Sequence, residues 1–335
     1  MKLFRNILLV VLLAFAGHGY SQEITAKAHA MYQAKDYDSA RVLIDAAIQT
    51  KEKYNSQTWQ LRGLIYRKLE TPGNTVNREV ALESFIQARK TDTTNLYKDK
   101  INEYLYNTII RYYNDAVTYL NEYKYIDSEK SYVMFKSKYI ELIDPSKTFS
   151  NEDVEYFNAL GGGYTKQLAQ LSGKDYDIVF QLAVNALSKV LAVDSMNYLA
   201  NLNTAVLYYN RGADLIVNQD PENTSIDVLM ENIATAESLF LKAKPLMLKA
   251  HEINPGNIEV LEGLSGIYYS LNDMENYLIY QTQLDKINLP KYLEIYQKNP
   301  ADKENLNQLV RIYSSTLKDD AQYLKFKTIL DQLGG

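Results

Sequence analysis

The sequence predicts an all-α protein built of stacked helix pairs, and three observations lead there. Glycine and proline are scarce, 14 and 7 of 335 residues, too lean for a loop-rich β fold or a low-complexity linker. Apolar and small residues recur at i, i+3, i+4 and i+7, the face of an amphipathic helix, as at Leu261, Leu264, Ser265 and Tyr268. Asn or Asp followed by proline closes such a stretch at Asp144-Pro145, Asn254-Pro255 and Asn299-Pro300. Proline has no N–H and disfavours a helical residue before it, so each pair is a stop signal. With 46% hydrophobic and 23% charged residues, the chain can bury a core.

The N-terminus reads separately. Lys2 and Arg5 precede ten apolar residues, 7–16, followed by small residues and the breakers Gly17 and Gly19. Ten is about half of the ~20 a spanning helix needs, and Gly19 and Ser21 suit cleavage before Gln22. Residues 1–21 are therefore expected to be a secretory signal peptide. No cysteine exists to take a lipid, so no membrane anchor is expected after cleavage, and the expected place is the periplasm or outside the cell. Cleavage removes two positive charges and no acids, moving the formal charge from −5 to −7. A mildly acidic chain without a basic cluster is not expected to bind nucleic acid.

The helical signature then recurs along the chain. It appears as Ile24, Ala28, Met31 with Ala40, Ile44, Ala47, and as Trp59, Gly63, Tyr66 with Ala81, Phe85, Ala88. Phe157-Leu160-Gly161-Tyr164, Ala205-Tyr208, Ser265-Tyr268 and Leu306-Leu309-Val310-Tyr313 continue it. These residues resemble the tetratricopeptide repeat family, a helix–turn–helix unit of about 34 residues. The resemblance implies a right-handed α–α superhelix, here one solenoid of six to seven pairs over 22–335. Its units are 22–55, 56–95, 97–146, 154–197, 198–257, 258–290 and 303–335. A small residue on the first helix of a pair (Ala28, Gly63, Gly161, Ala205, Ser265) admits the second helix closely. Gln281 and Lys138 depart from the pattern.

Spacing from the small residue to its second-helix partner is 12 for Ala28–Ala40 and Ser265–Tyr277, but 18, 22 and 38 for Gly63–Ala81, Gly161–Ala183 and Ala205–Ala243. Those insertions centre on residues 71–74, 172–174 and 220–224, and are expected to lengthen both helices of their pair. The longest would project a hairpin by roughly 20 Å at 1.5 Å per residue. Pro245 is expected to kink or break its second helix. Residues 97–123 and 127–143 read as two long helices, and 291–302 as a short helical bridge.

Chemistry is sparse. Zero cysteine removes thiol nucleophiles and thiolate metal sites. Among three histidines, His18 leaves with the leader, and His29 and His251 lack a ligand partner at i+3 or i+4. Gly161-Gly162-Gly163 has no phosphate-loop context and reads as helix packing with a possible local distortion. Glu152-Asp153 and Asp319-Asp320 read as helix-start acids. Asn223-Thr224-Ser225 is a sequon only by pattern. No enzyme, cofactor or metal is expected.

A binding surface remains. In the family the concave face comes from fixed positions of each first helix, and the resemblance carries these onto His29, Tyr32, Gln60, Arg67, Asn158, Thr165, Tyr209, Asn210, Tyr269, Asn307 and Arg311 as partner-binding residues. The Lys/Asn clamp with which some members hold a peptide C-terminus is absent from that set. Ten of the 29 tyrosines fall between 97 and 139, a second candidate contact surface, because tyrosine combines large area with a polar tip. The expected function is a non-enzymatic exported scaffold binding another protein or peptide. The alternative is a glycan-binding helical repeat protein accompanying polysaccharide uptake.

Overall fold

A computed structural model describes residues 23–218 and 224–334, so the expected signal peptide, the tip of the longest insertion and the sequon asparagine lie outside the described residues. Fourteen α-helices fill the described chain, with no strand beyond an isolated Thr71–Asn74 bridge. They are α1 (Glu23–Gln33), α2 (Tyr37–Ala47), α3 (Ser56–Lys68), α4 (Val76–Thr91), α5 (Lys98–Asn121), α6 (Tyr125–Leu142), α7 (Ser150–Leu168), α8 (Gly173–Val193), α9 (Tyr198–Val217), α10 (Ile226–Ile253), α11 (Ile258–Ser270), α12 (Met274–Lys298), α13 (Lys303–Arg311) and α14 (Asp320–Gly334). A 3₁₀ turn, Lys51–Tyr54, precedes α3, and a π turn, Ile312–Thr316, follows α13. Each odd helix packs most closely on the even helix after it, so the architecture is a helical repeat array. Contacts group the chain into two compact units, one through Thr148 and one from Phe149.

In the first unit, α1 to α6 form three hairpins. Gly63 sits against Phe85, and a Cβ there would fall 2.3 Å from the ring. Asp36 and Asn55 cap α2 and α3, each accepting a backbone N–H in the first turn at 3.1 and 2.8 Å. The start of α1 is capped from a distance. Glu52, buried in the 3₁₀ turn, accepts from the N–H groups of Ile24 (3.1 Å) and Thr25 (2.8 Å) and from the Thr25 hydroxyl. Arg89 of α4 donates to the Leu142 carbonyl at 2.9 Å, closing the end of α6. The insertion at 71–74 forms the turn between α3 and α4 and leaves α3 at 13 residues, so here the added chain went into a loop.

The second unit holds four hairpins, α7 to α14. Gly161 packs on Leu187 and Gly212 on Phe240, the same close approach as Gly63 on Phe85. The glycine run does not distort α7 enough to interrupt it. Helix α8 is long and apolar enough to cross a membrane by length and composition, yet Val179, Phe180, Ala183, Leu187 and Val190 are buried in its hairpin. The longest insertion does lengthen its pair, to 20 residues in α9 and 28 in α10. Pro245, expected to kink or break α10, does not break it, and residues 291–298, expected as part of a short bridge, are no separate element, because α12 runs through Pro290 to Lys298. A proline removes one intrahelical bond; buried Phe240, Ala243, Met247 and Ala250 on either side of Pro245 hold the helix to its neighbours. Asn299-Pro300 does stop α12.

Candidate functional site

In the first unit, α1, α3 and α5 meet around a cavity of about 250 Å³ lined by Tyr32, Leu64, Arg67, Lys68 and Arg111. Arg67 is half-buried, and burial followed by the neighbouring Arg111 charge lowers its pKa from the usual arginine value. Arg111 crosses from α5, donating to the Arg67 carbonyl at 3.4 Å and pairing with Glu70 at 3.0 Å. Glu70 is itself buried and already bonded by Arg78, whose Nε lies 2.9 Å away. Arg78 continues to Asp115 at 2.7 Å and stacks on the Tyr112 ring at 4.2 Å. Tyr112 donates to Glu79, which also meets Lys138 at 3.6 Å. Lys138, a departure from the repeat pattern, thus has an ionic reason to be there.

The tyrosine-rich pair α5–α6 spends most of its rings on itself. Tyr113 lies 5.3 Å from Phe135, Phe135 5.9 Å from Tyr139, and Tyr139 6.3 Å from Tyr106. Tyr112, Tyr125 and Tyr132 are buried, and among the ten only Tyr106 and Tyr123 are exposed. Tyr106 borders a second cavity of about 510 Å³ with Arg89, Lys98, Asn102 and Glu103.

The second unit has a cavity of about 550 Å³ where α7, α8 and α9 meet, bordered by Thr165, Tyr176, Asn210, Arg211, Asp214 and Asn218. Arg211 bonds Asp177 at 2.7 Å and lies over the Tyr176 ring at 5.0 Å. Burial, then the Asp214 charge, raises the Tyr176 phenol pKa.

The residues selected from sequence therefore divide. Tyr32 and Arg67 share the first cavity, and Thr165 and Asn210 share that of the second unit. His29 is half-buried beside Gln33 at 3.2 Å. Gln60 is buried and donates to Ser56 within α3 at 3.1 Å, while Asn158 of α7 donates to Asn197 at the start of α9 at 3.1 Å, tying those two helices together. Tyr209 covers Gly266 and packs 5.6 Å from Phe240. Tyr269 is 64% exposed beside Tyr277, and Asn307 is exposed on α13.

Arg311 is the clearest structural residue. It clamps the buried Asp285 with bonds of 2.9 and 2.6 Å. Asp285 also accepts from Gln281 at 2.8 Å and from Thr316, which the π turn brings within reach. Gln281 accepts from Ser265 at 2.9 Å, so its departure from an apolar residue links α11, α12 and α13. Burial alone would raise the Asp285 pKa; the bonds from Arg311, Thr316 and Gln281 outweigh it and hold it below the usual carboxylate value.

Sequence reasoning missed Arg111, Tyr176, Arg211 and Asp214. Arg111 stands on the first helix of its pair, as Arg67 does, and was hidden by the irregular spacing of 97–146. Among the described residues, no three His, Asp or Glu side chains gather as metal ligands.

No protein-family model matches the chain, and no curated protein matches it by sequence. Among solved structures it is similar to PilW, a widely conserved type IV pilus biogenesis factor, at 20% identity over 82% of this chain and 96% of that one, with a TM-score of 0.25. A superposition that loose says nothing of this chain's ligand.

Proposed function

We propose that the chain is a non-enzymatic exported scaffold of tetratricopeptide type, organised in the seven units 22–55 to 303–335, that binds another protein or peptide through the open faces of its first helices. The observation that supports this is the pairing of first-helix residues at open cavities: Tyr32 with Arg67, and Thr165 with Asn210. A repeat array offers such faces because each pair buries one side on its neighbours and leaves the other to solvent. Export to the periplasm rests on the sequence of residues 1–21, and the tyrosine-rich α5–α6 pair contributes Tyr106 and Tyr123 as its exposed rings. Crosslinking in the native host, followed by mass spectrometry, is expected to recover one stoichiometric protein. Substituting both Tyr32 and Asn210 by alanine should reduce that recovery; an unchanged yield would sink the assigned surface.

A second reading has its own support. The cavity of the second unit sets a tyrosine ring beside amide, guanidinium and carboxylate groups, a combination that suits sugar hydroxyls and faces. Saturable binding of oligosaccharides that is lost in Tyr176→Ala would favour a glycan ligand over a protein.

A further inference from the structure

The cavity between α1, α3 and α5 concentrates positive charge that the protein itself does not neutralise. Four basic side chains, Arg67, Lys68, Arg78 and Arg111, stand at or just behind it, against two carboxylates, Glu70 and Asp115. Neither carboxylate lines the cavity. Glu70 is engaged by Arg78 and Arg111, and Asp115 by Arg78. The Arg67 guanidinium is half-buried beside Arg111, whose repulsion outweighs the attraction of the more distant Glu70, and no carboxylate lies within ion-pair distance of it among the described residues. Placing a partly desolvated cation against a second cation is unfavourable for folding. Such an arrangement costs stability unless a ligand of opposite charge relieves it.

We propose that this cavity is a binding site for an oxyanion, a carboxylate or phosphate-class group, with Arg67 as its principal donor. Arg67 supplies a planar fork of N–H groups suited to two oxygens at once. Lys68 adds a mobile point charge at the rim. Arg111 is fixed by Glu70 and the Arg67 carbonyl, so it closes the far wall, and the Tyr32 phenol can donate a neutral hydrogen bond. A volume of about 250 Å³ has room for one such group together with part of the molecule that carries it. The site stands independently of the scaffold reading, since it can be occupied by a free ion, a metabolite or an acidic side chain of a partner.

Trp59 is the only tryptophan and lies on α3 with Arg67, so its fluorescence follows unfolding of the first unit. Thermal melts of the purified chain are read by that fluorescence in chloride, inorganic phosphate and glutarate at matched ionic strength. Phosphate or glutarate is expected to raise the midpoint saturably above chloride. A larger rise with phosphate assigns a phosphate-class ligand, and a larger rise with glutarate a carboxylate. Arg67→Met should weaken the apparent affinity by roughly tenfold or more while raising the midpoint in chloride, because it removes the repulsion. Lys68→Met, at an exposed position, should weaken the response less than Arg67→Met does. Equal midpoints in all three salts, or an undiminished response in Arg67→Met, would overturn the proposal.

Discussion

Replacing Gly162 by alanine and, separately, Gly161 by alanine adds one methyl group to neighbouring residues of α7 with opposite expected outcomes. Alanine is favoured over glycine inside a helix by about 1 kcal/mol, and both variants gain that amount. At Gly162 no heavy atom lies within 4 Å of the added Cβ, so the gain stands alone. At Gly161 the Cβ would fall 2.6 Å from Cγ and Cδ2 of Leu187, a side chain with 0% exposure. Overpacking a closed contact costs about 1–3 kcal/mol. Gly161→Ala should therefore be neutral to about 2 kcal/mol destabilising, and the two variants should differ by about 1–3 kcal/mol. The assay is urea unfolding followed by far-UV circular dichroism, with Trp59 fluorescence recorded in parallel to identify the first unit's transition. Only the transition silent in fluorescence should move. If Gly161→Ala stabilises as much as Gly162→Ala, α7 and α8 do not approach as described. If Gly162→Ala destabilises, the helix is not continuous through the glycine run.

Two further outcomes follow from the ion pairs. Arg78→Met leaves Glu70 and Asp115 short of their shared cation, and the first unit should lose about 3–5 kcal/mol in Trp59-detected unfolding; a loss below that of an ordinary surface substitution would refute the buried network. Asp285→Asn should cost the second unit about 3 kcal/mol at neutral pH, the low end for a broken pair because Arg311 is partly exposed and can be hydrated. Because the native Asp285 pKa is held below 3.8, its contribution is complete above that value and is lost as pH falls through the native pKa. The acid limb of the stability curve should therefore be shallower in Asp285→Asn than in the parent, and identical limbs would count against the pair.

The helix pairs were legible because their causes are local. Gly63 with Phe85 and Gly161 with Leu187 follow from small and large residues at helical spacing, which the chain displays directly. The charged constellations were not legible. Glu70, Arg78, Arg111 and Asp115 meet through a turn and two helices, and Asp285 finds Arg311 across 26 positions, separations with no periodicity to betray them. Gln281 and Lys138 looked like lapses in the pattern for the same reason: the pattern records apolar packing and is blind to a polar partner on the next helix. Pro245 does not end its helix because the stop rule describes an isolated helix, whereas α10 is held by neighbours on both sides of the proline. Of the residues read from sequence position, Tyr32, Arg67, Thr165 and Asn210 line cavities, whereas the polar groups of Gln60, Asn158 and Arg311 bond to groups of the protein itself, a difference that position in the repeat does not encode.

Glu52 has a consequence in time. The first turn of α1 leaves N–H groups unsatisfied until the 3₁₀ turn of residues 51–54 arrives, and the Thr25 hydroxyl that bonds Glu52 also touches Thr58 of α3 at 2.9 Å. Until that turn is in place the leading N–H groups of α1 are left to water, and the first helix lacks its cap. The leading end of α1 is thus held by a residue some thirty positions later, so loss of that latch, as in Glu52→Ala, would fray the start of α1 while leaving its later turns hydrogen-bonded.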